Sequence, residues 1–380
     1  MKNSTCPLDK YNKILKASIK NSHKKSTATG YISSLDIICN ELKRNYVFKD
    51  LKYSDIVSLI TDWQDHYKNK TISNRLTILR KLTLMAANDG FLPSDPCEHI
   101  IGLKPDSVLE EKKPFTTEEF RRMENTHTQC QSGKNLALLQ RLVGLRIQEA
   151  IALCWSDINF KERQLNVRRS RTLSEFNAPK TKQSTRALVL TDEAMQLLKK
   201  QFEITGARQA IDIKIQGISK TSFTRHSFQP VFIDDLTRNP FTDSKDYSQR
   251  FFTEFLQKAG IEHRGPSHLR HSFASIALSG GAPIKLISVM MGHVDTSVTE
   301  KHYAKWLPIS DEDTRSKLSA ALSIHDKPRD TSKQPQKAPQ HSSDVNISSS
   351  STWTFIKLGI RMVGLLPKLK PQRDEFSLPI

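Results

Sequence analysis

A chain of 380 residues with a formal charge of +18 is long enough for two domains and a tail, and so basic that it calls for a polyanionic partner, most commonly nucleic acid. Its 37% hydrophobic and 26% charged residues are those of a soluble globular protein rather than a membrane or low-complexity chain. The five cysteines (Cys6, Cys39, Cys97, Cys130 and Cys154) are scattered without metal-site spacing and read as reduced thiols, the opening residues lack an apolar leader, and no segment has the length of a membrane span. A bacterial cytoplasmic location follows as the expectation.

Residues 1–105 carry helical patterns and no strand pattern. Ser26 or Thr27 can cap a helix whose apolar stripe is Ile32, Leu35, Ile38, Cys39 and Leu42. Ile56, Leu59, Ile60 and Trp63 mark a second helix; Ile72, Leu76, Leu79 and Leu82 mark a third, which stops before Asn88-Asp89-Gly90. Lys68, Lys70, Arg75, Arg80 and Lys81 crowd around the third helix and are the candidate phosphate contacts.

Periodicity fades between Pro93 and Pro114, an exposed connector. A new domain is expected to open near residue 113 and to run to about 310. Thr116 and Glu119 form a capping box there, with Phe115 and Phe120 as its hydrophobic staple. Leu136, Leu139, Leu142 and Val143 build a helix that Gly144 ends, and Ile147, Ala150, Ile151 and Cys154 restart the pattern. Arg146 falls in the joint between two buried helices. A guanidinium there needs a polar cleft, and Glu149, one turn on, can orient it.

Gln164–Arg168 and Thr185–Leu190 are strand-like, with the polar loop Ala178-Pro179-Lys180-Thr181-Lys182-Gln183-Ser184 between them. Thr191 caps the next helix. From 205 to 245 the reading is loop, with one short strand around Pro230-Val231-Phe232-Ile233. The fold class is thus mainly α with a small antiparallel β-sheet (α+β).

Near the C-terminal third, Leu269-Arg270-His271-Ser272-Phe273-Ala274-Ser275, Met291-Gly292-His293 and Tyr303-Ala304-Lys305-Trp306 follow one another. Taken with Gly144-Leu145-Arg146, Glu149, Leu153-Cys154-Trp155-Ser156-Asp157 and the Lys-Thr of the polar loop, they resemble the catalytic domain of the tyrosine recombinases, the phage-integrase family. The resemblance covers roughly 113–308, and the helical region before it is similar to that family's core-binding domain.

The resemblance implies a division of labour. Arg146 and Arg270 would clamp the non-bridging oxygens of a scissile phosphate, and His293 would donate a further hydrogen bond. Tyr303 would be the nucleophile, forming a 3′-phosphotyrosine and releasing a 5′-hydroxyl. Lys180, or Lys182 two residues on, would protonate that leaving oxygen. No metal or nucleotide cofactor is implied. The implied partners are double-stranded DNA attachment sites, a homotetramer on two duplexes, and accessory DNA-bending or directionality proteins.

One position departs from the pattern. Many members have histidine three residues before the second arginine, where this chain has Ser267. His268 is rotated by about 100° from that slot and takes it only if the helix opens with a distorted turn. His271 has the place of a structural hydrogen-bonding residue. Residues 325–380 read as a disordered tail, with an apolar segment at 353–366 that is too short to span a bilayer. Two other functions share these features: a DNA-binding protein of this fold without catalysis, and a DNA-relaxing topoisomerase.

Overall fold

The computed structural model describes residues 7–104, 106, 113–179, 184–219 and 221–303. Lys180, Lys182 and the tail from 325 lie outside the described residues.

The N-terminal region is a bundle of α1 (Pro7–Ser22), α2 (Lys25–Asn45), α3 (Tyr53–Gln64) and α4 (Asn69–Asn88). Its core is the set of helical stripes meeting one another: Leu35, Ile38 and Leu42 from α2, Ile56 and Leu59 from α3, and Ile72, Leu79 and Leu82 from α4. Helix α1 adds Leu8, Tyr11, Leu15 and Ile19, whose spacing of three and four residues is a helical stripe that the reading above does not use. Ile100 closes this core at its C-terminal side.

The next region opens at α5 (Thr117–Asn125), where both capping-box hydrogen bonds form. The Thr116 amide donates to Glu119 Oε2 at 2.7 Å, and the Glu119 amide to Thr116 Oγ1 at 3.2 Å. The Phe115 and Phe120 rings meet edge to face at 6.0 Å. Helices α6 (Gln131–Val143), α7 (Ile147–Ile151) and α8 (Asp192–Thr205) follow. A helix running through α9 (Ser244–Tyr247), a π turn at Ser248–Phe252 and α10 (Thr253–Lys258) comes next. Helices α11 (Ser267–Ser279), α12 (Ile284–Met291) and α13 (Thr296–Tyr303) end the described chain.

A three-stranded sheet has the order β1 (Ile158–Asn159), β2 (Gln164–Val167), β5 (Arg186–Val189), all antiparallel, with Leu165 opposite Leu188. This is the small sheet expected from 164–168 and 185–190. A second sheet is a departure from the reading of 205–245 as loop. Its order is β3 (Ser170–Thr172), β4 (Glu175–Asn177), β6 (Ile211–Gln216), β7 (Phe223–Phe228), and β4 pairs with β6 in parallel. The alternation Ile211-Asp212-Ile213-Lys214-Ile215 is the signal for β6: Ile213 and Ile215 turn inward while Asp212 and Lys214 face out. Pro230–Ile233 is not a named strand. It is a core-filling segment with Val231, Phe232 and Ile233 buried, tied by one isolated bridge from Pro230 to Cys154.

Candidate active site

Gly144 stops α6 in the left-handed conformation, φ 68°, and a side chain there would collide with Phe273. The turn presents Arg146 as the N-cap of α7. Its Nη1 donates to Glu149 Oε1 at 2.9 Å, and Glu149 Oε2 accepts from the Arg146 amide at 2.9 Å. A second guanidinium holds the same carboxylate: Arg186 Nη1 and Nη2 donate to Glu149 Oε1 and Oε2 at 3.1 and 2.9 Å. Arg186 opens β5 and is itself buried. Burial alone would raise the Glu149 pKa; the Arg186 fork and the charges of Arg186 and Arg146 outweigh it and hold the carboxyl below its ordinary range.

Arg270 leaves the first turn of α11 and is 8% exposed. Its Nη1 donates to the Gly144 carbonyl at 2.6 Å, its Nη2 to the Met291 carbonyl, and Nη2 lies 3.3 Å from His293 Nε2. Burial, and then the neighbouring Arg146, lower its pKa to about 9, so it keeps its charge at neutral pH.

The end of α12 gathers these cations. Arg186 Nε donates to the Met290 carbonyl at 2.7 Å, Arg270 to that of Met291, and Arg146 Nη2 to that of Gly292 at 3.3 Å. Three successive carbonyls at a helix C-terminus, where acceptors are unsatisfied and the dipole is negative, thus hold three arginines from three other elements. Gly292, at φ 65°, is required twice over: a Cβ there would sit 2.9 Å from Arg186 Nη1. Three guanidiniums stand beside one carboxylate, which binds two of them, so the cluster keeps a surplus of positive charge for an incoming anion. A cavity of about 520 Å³ reaches Arg146, Glu149 and Gly292 on one side and, on the other, Lys24 just before α2 and Ser26 in its first turn.

His293 follows Gly292. Its Nδ1 lies 2.8 Å from Thr299 Oγ1 on α13, a fully buried hydroxyl. Burial, then Arg270 and Arg146, lower the His293 pKa to about 4, which leaves the ring neutral at pH 7. With Arg270 donating to Nε2, the proton of this neutral ring sits on Nδ1 and points at Thr299.

Tyr303 ends α13 at 2% exposure, packed on Phe273, Ala274, Leu278, Ile287 and Met291. Its hydroxyl is hydrogen-bonded to His271 Nδ1. Burial pushes the phenol up to about 12, with the charge of Arg270 opposing the rise.

Other expected site residues go elsewhere. α11 opens at Ser267, and His268 Nδ1 is 3.0 Å from the Lys113 carbonyl, at the entrance to this region. In the bundle Lys68, Lys70 and Lys81 are exposed, while Arg80 is half-buried and donates to the Ile100 carbonyl. Arg75 is a correction. At 5% exposure it lies inside the bundle, its guanidinium 3.8 Å from the Tyr67 ring centroid and 5.4 Å from that of Trp63. Its position, three residues after Ile72 and four before Leu79, is on the apolar stripe of α4, and that spacing is the sign that it turns inward. The sequence reading also passes over Arg186, which resembles any alternating strand residue, and Thr299.

The phage integrase family matches residues 115–308, just over half of the chain. The prophage integrase IntR of Escherichia coli strain K12 is 27% identical over 259 residues, which take in 67% of this chain and 62% of the relative. The chain thus spans about three-fifths of that relative's length. The transposase from transposon Tn916 of Enterococcus faecalis is 24% identical over 293 residues, covering 74% of this chain and 70% of the relative. Among solved structures, the Tn1549 transposon integrase in complex with transposon right end DNA is similar in fold. It has a TM-score of 0.60 and 20% identity, covering 84% of this chain and 99% of that one. A lambda integrase tetramer bound to a Holliday junction gives a TM-score of 0.56 at 18% identity, covering 82% and 81%. Matched over the whole span from the α5 entrance past Tyr303, this chain belongs to the phage integrase family.

Proposed function

We propose that the protein is a site-specific DNA recombinase that cleaves and rejoins DNA through a covalent 3′-phosphotyrosine at Tyr303, integrating or excising a phage or other mobile element. The observation that carries this reading is the arginine cluster on the α12 carbonyls. Guanidiniums fixed before the reaction starts cost nothing to reorganise when negative charge builds on the non-bridging oxygens of the phosphorane. Arg146 and Arg270 are the clamp, Glu149 with Arg186 sets the plane of Arg146, and His293 adds a contact beside Arg270. Donation to phosphate from His293 Nε2 requires the proton to move from Nδ1, and the Thr299 hydroxyl can accept from or donate to Nδ1 as the ring changes tautomer.

Lys180, with Lys182 as its competitor, is the proposed general acid for the 5′-oxygen. Lys68, Lys70 and Lys81, beside and along α4, are the proposed phosphate contacts of the bundle. Double-stranded DNA attachment sites are the substrate, a homotetramer in the bacterial cytoplasm is the working assembly, and accessory DNA-bending or directionality proteins are further partners. The solved relatives bound to DNA support the substrate, and the lambda integrase tetramer supports the assembly. Among the described residues no helix is long and apolar enough to cross a membrane.

The test is a nicked suicide substrate bearing the attachment site, from which the released 5′ fragment diffuses away and traps the enzyme on DNA. Wild type is expected to form a denaturation-resistant protein–DNA adduct, and Tyr303→Phe none. A wild-type protein that binds the site yet forms no adduct sinks the enzymatic reading in favour of a DNA-binding protein. Adduct formation by Tyr303→Phe sinks the nucleophile assignment.

A further inference from the structure

Ser267 leaves the proton of Tyr303 without the acceptor that many family members place three residues before the second arginine. Helix α11 starts at Ser267, so Ser267 and His271 stand one turn apart on the same face of that helix. An imidazole stands four residues along, at His271, and the Tyr303 hydroxyl lies on it. We propose that His271 is the general base of the cleavage step, taking the Tyr303 phenol proton at Nδ1. This rests on the reading of Tyr303 as nucleophile.

The other described histidines near Tyr303 are committed elsewhere or stand further off. His268 gives its Nδ1 to the Lys113 carbonyl. His293 has Nδ1 on Thr299 and Nε2 beside Arg270, and its ring is held neutral at pH 7, with a pKa of about 4 that makes it a poor base. The His302 ring centroid is 6.4 Å from that of Tyr303, against 5.7 Å for His271. The need for an acceptor is real, because burial pushes the phenol up to about 12. A phenol so weakly acidic is a poor nucleophile until its proton leaves.

The step balances within these groups. The Tyr303 O–H proton passes to His271 Nδ1 as the phenolic oxygen bonds to phosphorus. The P–O5′ bond breaks, and the 5′-oxygen takes a proton from the general acid. In religation the 5′-hydroxyl attacks as its proton returns to the deprotonated general acid, the tyrosine–phosphorus bond breaks, and the phenolate recovers its proton from the imidazolium. Among the described residues, the titratable and charged groups that neighbour this pair are Arg270 and His268 on α11 and His302 on α13, with His293 ahead of α13.

His271→Asn is the informative variant, because its side-chain oxygen stands near the place of Nδ1 and accepts a hydrogen bond but takes no proton at neutral pH. Single-turnover adduct formation on the suicide substrate is followed from pH 6 to 9, with DNA affinity and the thermal melt measured in parallel. The expected result is a fall of about 10²-fold at pH 7 with affinity kept, and a rate that climbs about tenfold per pH unit where wild type levels off. Added imidazole is expected to restore part of the rate to His271→Gly. A wild-type rate and pH profile in His271→Asn overturns the proposal. So does a slowed His271→Asn with the wild-type profile and no imidazole rescue of His271→Gly, which makes the residue a packing element. Adduct formation by Tyr303→Phe would instead overturn the nucleophile assignment beneath it, so the two failures are distinguishable.

Discussion

Two of the places where this molecule buries arginine do so by opposite means. Inside the helical bundle, Arg75 lies flat against Tyr67 and Trp63, and its Nη1 has no hydrogen-bond partner among the described residues. At the end of α12, Arg186 and Arg270 turn their N–H edges to carbonyls and to Glu149. Ring faces give a guanidinium attraction without direction, whereas carbonyls fix its plane and its fork. The first arrangement suits packing. The second suits holding a charge in register for a substrate, and it explains why a basic residue is legible as functional only once its acceptors are known.

The contrast breaks first at Arg186. Arg186→Met leaves Glu149 buried with Arg146 as its remaining cation, and is expected to cost about 3 kcal/mol in urea unfolding. It also moves the acid limb. In wild type the depressed Glu149 pKa contributes stability that is complete above the unfolded carboxyl value of about 4.3 and is lost as pH falls through the lower folded value. In the variant that loss is expected at higher pH. An unchanged urea midpoint and acid limb would show that the carboxylate is not held by this fork.

A smaller effect tests the direction of His293. Thr299→Val removes the hydroxyl that faces Nδ1, and adduct formation is expected to fall about tenfold while Thr299→Ser stays near wild type. Nitrogen NMR shifts of the His293 ring are the direct readout: loss of the Nδ1–H signature in Val but not Ser is expected, and identical spectra contradict it. The smallest effect belongs to the bundle. Arg75→Met is expected to change stability by less than about 1 kcal/mol and to leave the salt dependence of DNA binding unchanged. Lys81→Ala should lower the slope of log affinity against log salt by about 0.9. A lowered slope in Arg75→Met would return that residue to the DNA-binding face.

What the sequence shows of this site is what local order can show. Arg146, Arg270, His293 and Tyr303 stand in short motifs whose glycines and helix stops are readable, and the Thr116–Glu119 box announces where the second region starts. Arg186 hides because its charged partner, Glu149, is 37 residues away and its acceptor on α12, the Met290 carbonyl, 104 away. Main-chain carbonyls leave no mark in a residue pattern. Arg75 misleads for the converse reason: its charge is conspicuous, and only its place on the stripe of α4 shows which way it faces. The second sheet is legible at Ile211–Ile215 by alternation, while its parallel pairing with β4 depends on which distant strand lies alongside.

The carbonyls of Met290, Met291 and Gly292 have a consequence for how the arginine cluster holds together. Arginines from the start of α7, from β5 and from α11 share one helix end, while Glu149 also holds Arg146 and Arg186 and the Gly144 carbonyl also holds Arg270. A slide of α12 would therefore break one bond of each arginine at once, and its docking would restore all three. The amides of this helix end should therefore exchange with solvent deuterium as one cooperative unit, and activity should follow their protection as a threshold rather than a gradient.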